Sequence, residues 1–214
     1  MRTIDLMIFD LDGTIVSSGV DLVNSVNYTL KVLCLPPKTE KEIISFVGDG
    51  VRRLIERALA SQEESVVEKA LAIFSDYYAQ HLLDNTKLNP YALEVLENFA
   101  DKIKVILTNK RYNFTLTIAR GLKIERYFSE IIGADSLPYK KPDARLIDYL
   151  LGKYKVERDK AVMIGDGIND IYVAKKSGIS SVVYLSGLGN RKDLLAGEAD
   201  YYCESLREIN SLFK

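Results

Sequence analysis

Two aspartates one residue apart, Asp10 and Asp12, follow the apolar run Leu6, Met7, Ile8, Phe9, with Gly13 and Thr14 directly after them. Two more carboxylates, Asp166 and Asp170, follow a second apolar run, Ala161 to Ile164, in the stretch Gly165, Asp166, Gly167, Ile168, Asn169, Asp170. A third run, Ile103 to Leu107, ends in Thr108, Asn109 and Lys110, and the pair Lys140 and Lys141 precedes Pro142. Acids at the exit of an apolar segment are costly unless a cation neutralises them, which points to a divalent metal or to phosphate handling. Hydroxyl, amide and ammonium groups suit phosphoryl oxygens, and a fixed cation opposes the charge that grows on them during transfer. Taken singly, Thr108 and Asn109 read equally well as helix caps, and the Asp-Gly pairs as turns. An EF-hand loop does not fit, because Gly13 is the fourth residue from Asp10 and Asp21 stands where a Glu is needed.

The elements that carry these groups follow from periodicity. Leu6 to Phe9 is too short for an ordinary helix and has no polar face, so it reads as a strand buried on both sides. From Asn89 the chain alternates. Helices are expected around Leu93 to Phe99, from Tyr112 to Arg120 with Gly121 just past the end, over 144–154, over 170–176 stopped by Gly178, and around Leu206 to Leu212. Strands are expected at 103–107, 131–132, 161–164 and 181–185. Such alternation implies right-handed crossovers and a mostly parallel sheet covered by helices. Ligands then bind at the carboxyl edge, where all three polar clusters would converge.

Between the first strand and this region the pattern is helical throughout. Apolar positions recur at helical spacing over 21–33, over 51–59 after Gly48, Asp49 and Gly50, and from about Glu63. Thr39 with Glu42, and Ser61 with Glu64, have capping-box spacing. The expected division is an α/β core of residues 1–15 and 87–214 and a helical insert of residues 16–86 that contains no strand.

Composition narrows the class of activity. The chain has 214 residues with 29 basic and 30 acidic side chains, so no overall basic field is available for nucleic acid. No segment is long and apolar enough to cross a bilayer, and Asp5 interrupts the amino terminus where a signal peptide would be apolar. Cys34 and Cys203 form neither a metal cluster nor a disulfide framework, and a reducing, cytoplasmic compartment is expected. His81 is the only histidine, which disfavours His-based zinc sites and Ser/His/Asp triads.

The four clusters, in this order and strand context, resemble the motifs of the haloacid dehalogenase superfamily. The stretch Val47 to Leu59, Pro36-Pro37, Thr108 to Lys110, and Tyr127-Phe128 through Leu137 are similar to its phosphoglycolate phosphatase branch. The resemblance implies a Rossmann-like core with an inserted α-helical cap, and a Mg²⁺-dependent phosphatase acting on a small-molecule phosphomonoester, 2-phosphoglycolate being the expected substrate. It implies that Asp10 is the nucleophile that forms an aspartyl-phosphate and that Asp12 is the general acid and base. Mg²⁺ would be held by Asp10, the Asp12 carbonyl and Asp166, with Asp170 in support, and the phosphoryl oxygens by Thr108, Asn109 and Lys141. An acid at position 12 argues for a phosphatase or mutase, since transport ATPases of the superfamily carry Thr there. Two departures from the branch pattern, Ser17 and the stretch Tyr184 to Gly189, are expected not to touch the chemistry. In the cap, Arg52 and Arg53 (or Arg57) are candidates for meeting a substrate carboxylate, against the alternative of a solvated helix face. A sugar-phosphate mutase and a phosphoacceptor signalling domain are the competing readings. The expected assembly is a monomer or homodimer, with neither nucleic acid nor membrane as partner.

Overall fold

The computed structural model describes all 214 residues, Met1–Lys214. Strand β1 (Leu6–Phe9) is buried at every position. Its side chains alternate between two apolar clusters, Leu6 and Ile8 in one, Met7 and Phe9 in the other, so both faces of the strand are covered. Each such side chain contributes roughly 1.5–3 kcal/mol on burial, enough to hold β1 at the centre of the molecule.

After β1 a short strand, β2 (Val16–Ser17), leads into helices α1 (Gly19–Val32), α2 (Glu40–Ile44), α3 (Val51–Leu59) and α4 (Glu64–His81). The chain returns through β3 (Lys87–Leu88), which pairs antiparallel with β2. It then alternates through α5 (Ala92–Asn98), β4 (Ile103–Leu107), α6 (Tyr112–Gly121), β5 (Glu130–Ile132), α7 (Arg145–Tyr154) and β6 (Ala161–Gly165). Helix α8 (Ile168–Ser177), β7 (Ser180–Tyr184), α9 (Arg191–Ala196), β8 (Tyr201–Cys203) and α10 (Ile209–Leu212) complete it. Six strands form one parallel sheet in the order β5-β4-β1-β6-β7-β8. This is the α/β architecture that the alternation implies. Strands β4 and β6 flank β1 in register, Phe9 lying beside both Ile106 and Ile164, so the residues after all three strands emerge on one edge.

The structure differs from the sequence expectation in several places. Val16–Ser17 is a strand within a stretch read as helix and loop; two residues are too few to show an alternating pattern. Short elements β8 and α9 were hidden for the same reason. Gly121 lies inside α6, not past its end. A Cβ there would run into the Leu83 side chain, so the glycine permits close approach, and the left-handed residue that follows the helix is Lys123. The Thr39–Glu42 capping box forms, whereas Ser61 accepts only from the Glu63 amide and α4 begins at Glu64.

Helices α1, α3 and α4 pack on one another through Leu22, Val26, Leu30, Leu54, Ile55 and Phe74, in the same apolar cluster as Met7 and Phe9. The return of the chain from these helices is tied down by Asp21 in the first turn of α1. Its carboxylate is 1% exposed and accepts from the Asn85 and Thr86 amides, Asn85 Nδ2 and the Thr86 hydroxyl at 2.7–3.1 Å. Asp21→Asn would turn a donor toward these donors and leave buried N–H groups unpaired. The expected cost is about 2–3 kcal/mol, a fall in Tm of roughly 5–10 °C by circular dichroism. A change under about 1 °C would show that Asp21 does not hold this junction.

Candidate active site

The residues after β1 and β6 meet around one buried ammonium. Lys141 is 3% exposed, and its Nζ lies 3.0 Å from Asp10 Oδ1 and 2.6 Å from Asp170 Oδ1. Asp10, Asp166 and Asp170 each offer a carboxylate oxygen, all within 4.8 Å of one another. Three carboxylates against one ammonium leave two negative charges in excess. That imbalance on an all-oxygen donor set fits a hard divalent cation. Burial, reinforced by the charge on Asp10, holds Asp166 well above the usual carboxylate range. Burial likewise raises Asp170, although Lys141 opposes it. Burial works against the charge on Lys141, but Asp10 and Asp170 outweigh it and its pKa lies above the ordinary lysine value.

Backbone and glycines fix these carboxylates. Thr14 Oγ1 donates to Asp166 Oδ1 at 2.6 Å, and the Leu188 amide to Oδ2 at 2.7 Å. Gly13 has φ +87°, and a Cβ at Gly13, Gly187 or Gly189 would run into Asp166. The stretch Tyr184 to Gly189 therefore touches the cluster, contrary to the sequence expectation. Its glycines and one amide wall in Asp166, a role that only the fold reveals, because β7 lies beside β6. Asp170, third residue of α8, accepts the Gly167 amide at 2.9 Å.

Asp12 is held by a second ammonium. Lys110 Nζ donates to both Asp12 oxygens at 3.0 Å and to Tyr78 Oη at 2.6 Å, and lies 4.6 Å from the Tyr78 ring centroid. The Ser18 hydroxyl adds a bond to Asp12 Oδ1 at 2.6 Å. Burial opposes the charge on Lys110, yet Asp12 and Tyr78 more than compensate and its pKa is raised. Burial pushes the Tyr78 phenol up to about 12, against the pull of Lys110. Nothing in the spacing of Lys110 or Tyr78 along the chain links either of them to Asp12. A tyrosine on a buried helical face was the available signal, since its hydroxyl must find a partner there.

Thr108 and Asn109 are not helix caps. Arg111 is the N-cap of α6, and the Tyr112 amide donates to Asp135. Thr108 Oγ1 accepts from the Lys110 amide at 3.2 Å. Asn109 Nδ2 donates to the Gly48 carbonyl at 2.9 Å and the Lys141 carbonyl at 3.1 Å, and its buried Oδ1 has no partner. From the other side of the same loop, Asn169 Nδ2 reaches Asp49 Oδ1 at 2.8 Å and Lys140 Nζ the Asp49 carbonyl at 2.7 Å. The loop at 48–50 thus lies over the sheet edge. Beneath it is a cavity of about 70 Å³ whose lining includes Asp10, Asp12, Thr108, Asn109, Lys110 and Arg111, with apolar walls from Leu22, Leu54, Phe74 and Phe114.

Arg52 and Arg53 do not join this cavity. Val51 and Leu54 line it, and helical geometry turns the two arginines to the outer side of α3. Arg52 pairs with Glu64 and Glu68 of α4, and Arg53 with Glu56 at 2.7 Å. Arg57 pairs with Asp49 at 2.6 Å. Of the two readings the sequence left open for these arginines, their positions agree with the solvated, ion-paired helix face.

Residues 7–184 match the family model described as haloacid dehalogenase-like hydrolase. A phosphoglycolate phosphatase of Vibrio parahaemolyticus is 32% identical over 97% of this chain and 95% of its own length. One from Chromobacterium violaceum is 30% identical over 100% and 98%. Among solved structures, a predicted phosphoglycolate phosphatase from Haemophilus somnus superposes with a TM-score of 0.94 at 29% identity, covering 99% of both chains. A haloacid dehalogenase-like hydrolase from Streptococcus pneumoniae gives 0.88 at 27% identity, covering 98% of both.

The raised carboxylates make stability depend on pH with a definite sign. A folded-state pKa above the unfolded value means that the native protein binds extra protons, so their stabilisation is complete below about pH 4 and is lost as pH rises through the raised values. A divalent cation must displace those protons. In chelator, Tm should fall between about pH 5 and about pH 8, and added Mg²⁺ should raise it more at the higher pH. An Mg²⁺ effect that is equal at both values would contradict this account.

Proposed function

The chain belongs to the haloacid dehalogenase-like hydrolase family, and from that premise we propose that it is a Mg²⁺-dependent phosphatase of small phosphomonoesters, with 2-phosphoglycolate as substrate. The observation that carries this reading is the buried cluster of Asp10, Asp166 and Asp170 around Lys141, with Asp12 beside it on the same strand end. The names of the relatives support the substrate. Phosphate-monoester hydrolysis is among the slowest uncatalysed reactions, with enzymatic accelerations approaching ~10²¹, so it needs both covalent and electrostatic help.

A carboxylate oxygen of Asp10 attacks phosphorus as the bond to the ester oxygen breaks, forming an aspartyl-phosphate. Protonated Asp12 gives its proton to the departing alkoxide. The resulting Asp12 carboxylate then takes a proton from a water that attacks phosphorus, releasing inorganic phosphate and regenerating Asp10. Splitting one barrier into two in this way is the use of a nucleophile. Lys141 and Thr108 donate to the phosphoryl oxygens, while the Asn109 side chain, whose Nδ2 is given to the Gly48 and Lys141 carbonyls, borders the same place with an unpartnered acceptor, Oδ1, that suits a water or another hydrogen-bond donor. When bound by the Asp10 and Asp166 carboxylates and the Asp12 carbonyl, with Asp170 in support, Mg²⁺ counters the charge on the phosphoryl group. Lys110 and Ser18 fix the orientation of Asp12.

Residues 16–86 act as a cap on a core of residues 1–15 and 87–214, and closure over the site excludes water. Walls of Leu22, Leu54, Phe74 and Phe114 offer few partners for the ring hydroxyls of the hexose phosphate that a sugar-phosphate mutase would need. A phosphoacceptor signalling domain would have no use for the helical insert. With Mg²⁺, the purified protein should release phosphate from 2-phosphoglycolate, and chelator should abolish the activity. Asp10→Asn should lower kcat by roughly 10⁴-fold or more in a phosphate-release assay. Turnover surviving in that variant would remove Asp10 as nucleophile.

A further inference from the structure

Every arginine of the chain except Arg111 has a partner for its guanidinium. Arg52, Arg53, Arg57, Arg120, Arg145, Arg158, Arg191 and Arg207 pair with carboxylates. Arg2 reaches the Asp159 carbonyl and Ser180, and Arg126 the Tyr127 hydroxyl. Arg111 makes no side-chain hydrogen bond or ion pair, yet it lines the cavity beside Lys110 and Asp12.

Its backbone is fixed while its side chain is free. The Arg111 carbonyl accepts from the Thr115 amide and hydroxyl, both at 3.0 Å, and the adjoining Tyr112 amide is held by Asp135 at 2.7 Å. Lys110, the other cation in the lining, is committed to Asp12 and Tyr78. Lys141 is committed to Asp10 and Asp170. Beyond these groups the walls are apolar, from Leu22, Leu54, Phe74 and Phe114. Arg111 is exposed at the rim of this cavity, where its guanidinium can reach an anion that enters, and a guanidinium matches a carboxylate with two parallel hydrogen bonds.

Resting on the phosphatase reading above, we propose that Arg111 is a specificity residue that binds a carboxylate carried by the leaving group, so that the preferred esters are phosphorylated small hydroxy acids. The phosphoryl end of such an ester lies at Asp10, Thr108 and Lys141, and its acid end at Arg111. The α3 arginines, already paired with glutamates, take no part.

The test compares 2-phosphoglycolate with ethyl phosphate, which lacks the carboxylate, for the Mg²⁺-loaded native enzyme, Arg111→Met and Arg111→Lys. Melting curves confirm that each variant is folded. The native enzyme should favour 2-phosphoglycolate, and Arg111→Met should lower the ratio of the two kcat/KM values by roughly 10- to 100-fold, mainly through KM. Arg111→Lys should recover part of that ratio, and the native preference should shrink as salt rises. A ratio that is the same in native enzyme and Arg111→Met, with both esters turned over, would overturn the proposal and leave the phosphatase reading standing. Failure of the native enzyme to release phosphate from either ester would sink that reading, and this inference with it.

Discussion

One ammonium group, Lys141 Nζ, holds together carboxylates that would otherwise repel each other inside the protein. It sits between Asp10 from the end of β1 and Asp170 from the first turn of α8, and still leaves the cluster with excess negative charge. Burying such a set without its counter-charge would cost several kcal/mol. The surrounding structure serves that requirement. Parallel β1 and β6 deliver the acids side by side, the turn at Lys141 and Pro142 delivers the lysine, and glycines at 13, 187 and 189 allow backbone to close around Asp166.

A second ion pair ties chemistry to the helical part of the chain. Lys110 belongs to the loop after β4, Asp12 to the loop after β1 and Tyr78 to α4, and all three meet at one nitrogen. The position of α4 and the orientation of the proposed acid and base are thereby linked. The loop at 48–50 is fastened in a comparable way by Asn109, Lys140 and Asn169, all from the sheet edge. Contacts of this kind mean that movement of the helices relative to the sheet would alter both access to the site and the surroundings of Asp12.

Much of this was legible before any coordinates. Apolar runs ending in Asp10, Thr108 and Asp166 identify strands and the edge they share, because parallel crossovers leave no other arrangement for alternating helices and strands. Less visible were groups whose role depends on a distant neighbour. Nothing local distinguishes Arg52 and Arg53, paired with glutamates, from Arg111, left free. Nothing in the stretch Tyr184 to Gly189 says that it lies against Asp166, since that follows from β7 being placed next to β6. Gly121 looked like a helix terminator and instead makes room for Leu83, a contact between segments far apart in the chain.

By itself, then, the sequence determined the fold class, the edge on which polar groups gather and the residue types available there, because hydrophobic periodicity and turn chemistry are local properties. Tertiary structure alone decided which ammonium faces which carboxylate, which tyrosine reaches Lys110 and which arginine remains unpaired in the cavity. Those are outcomes of packing between elements, and electrostatic partnership depends on separations of a few ångströms that no spacing along the chain encodes.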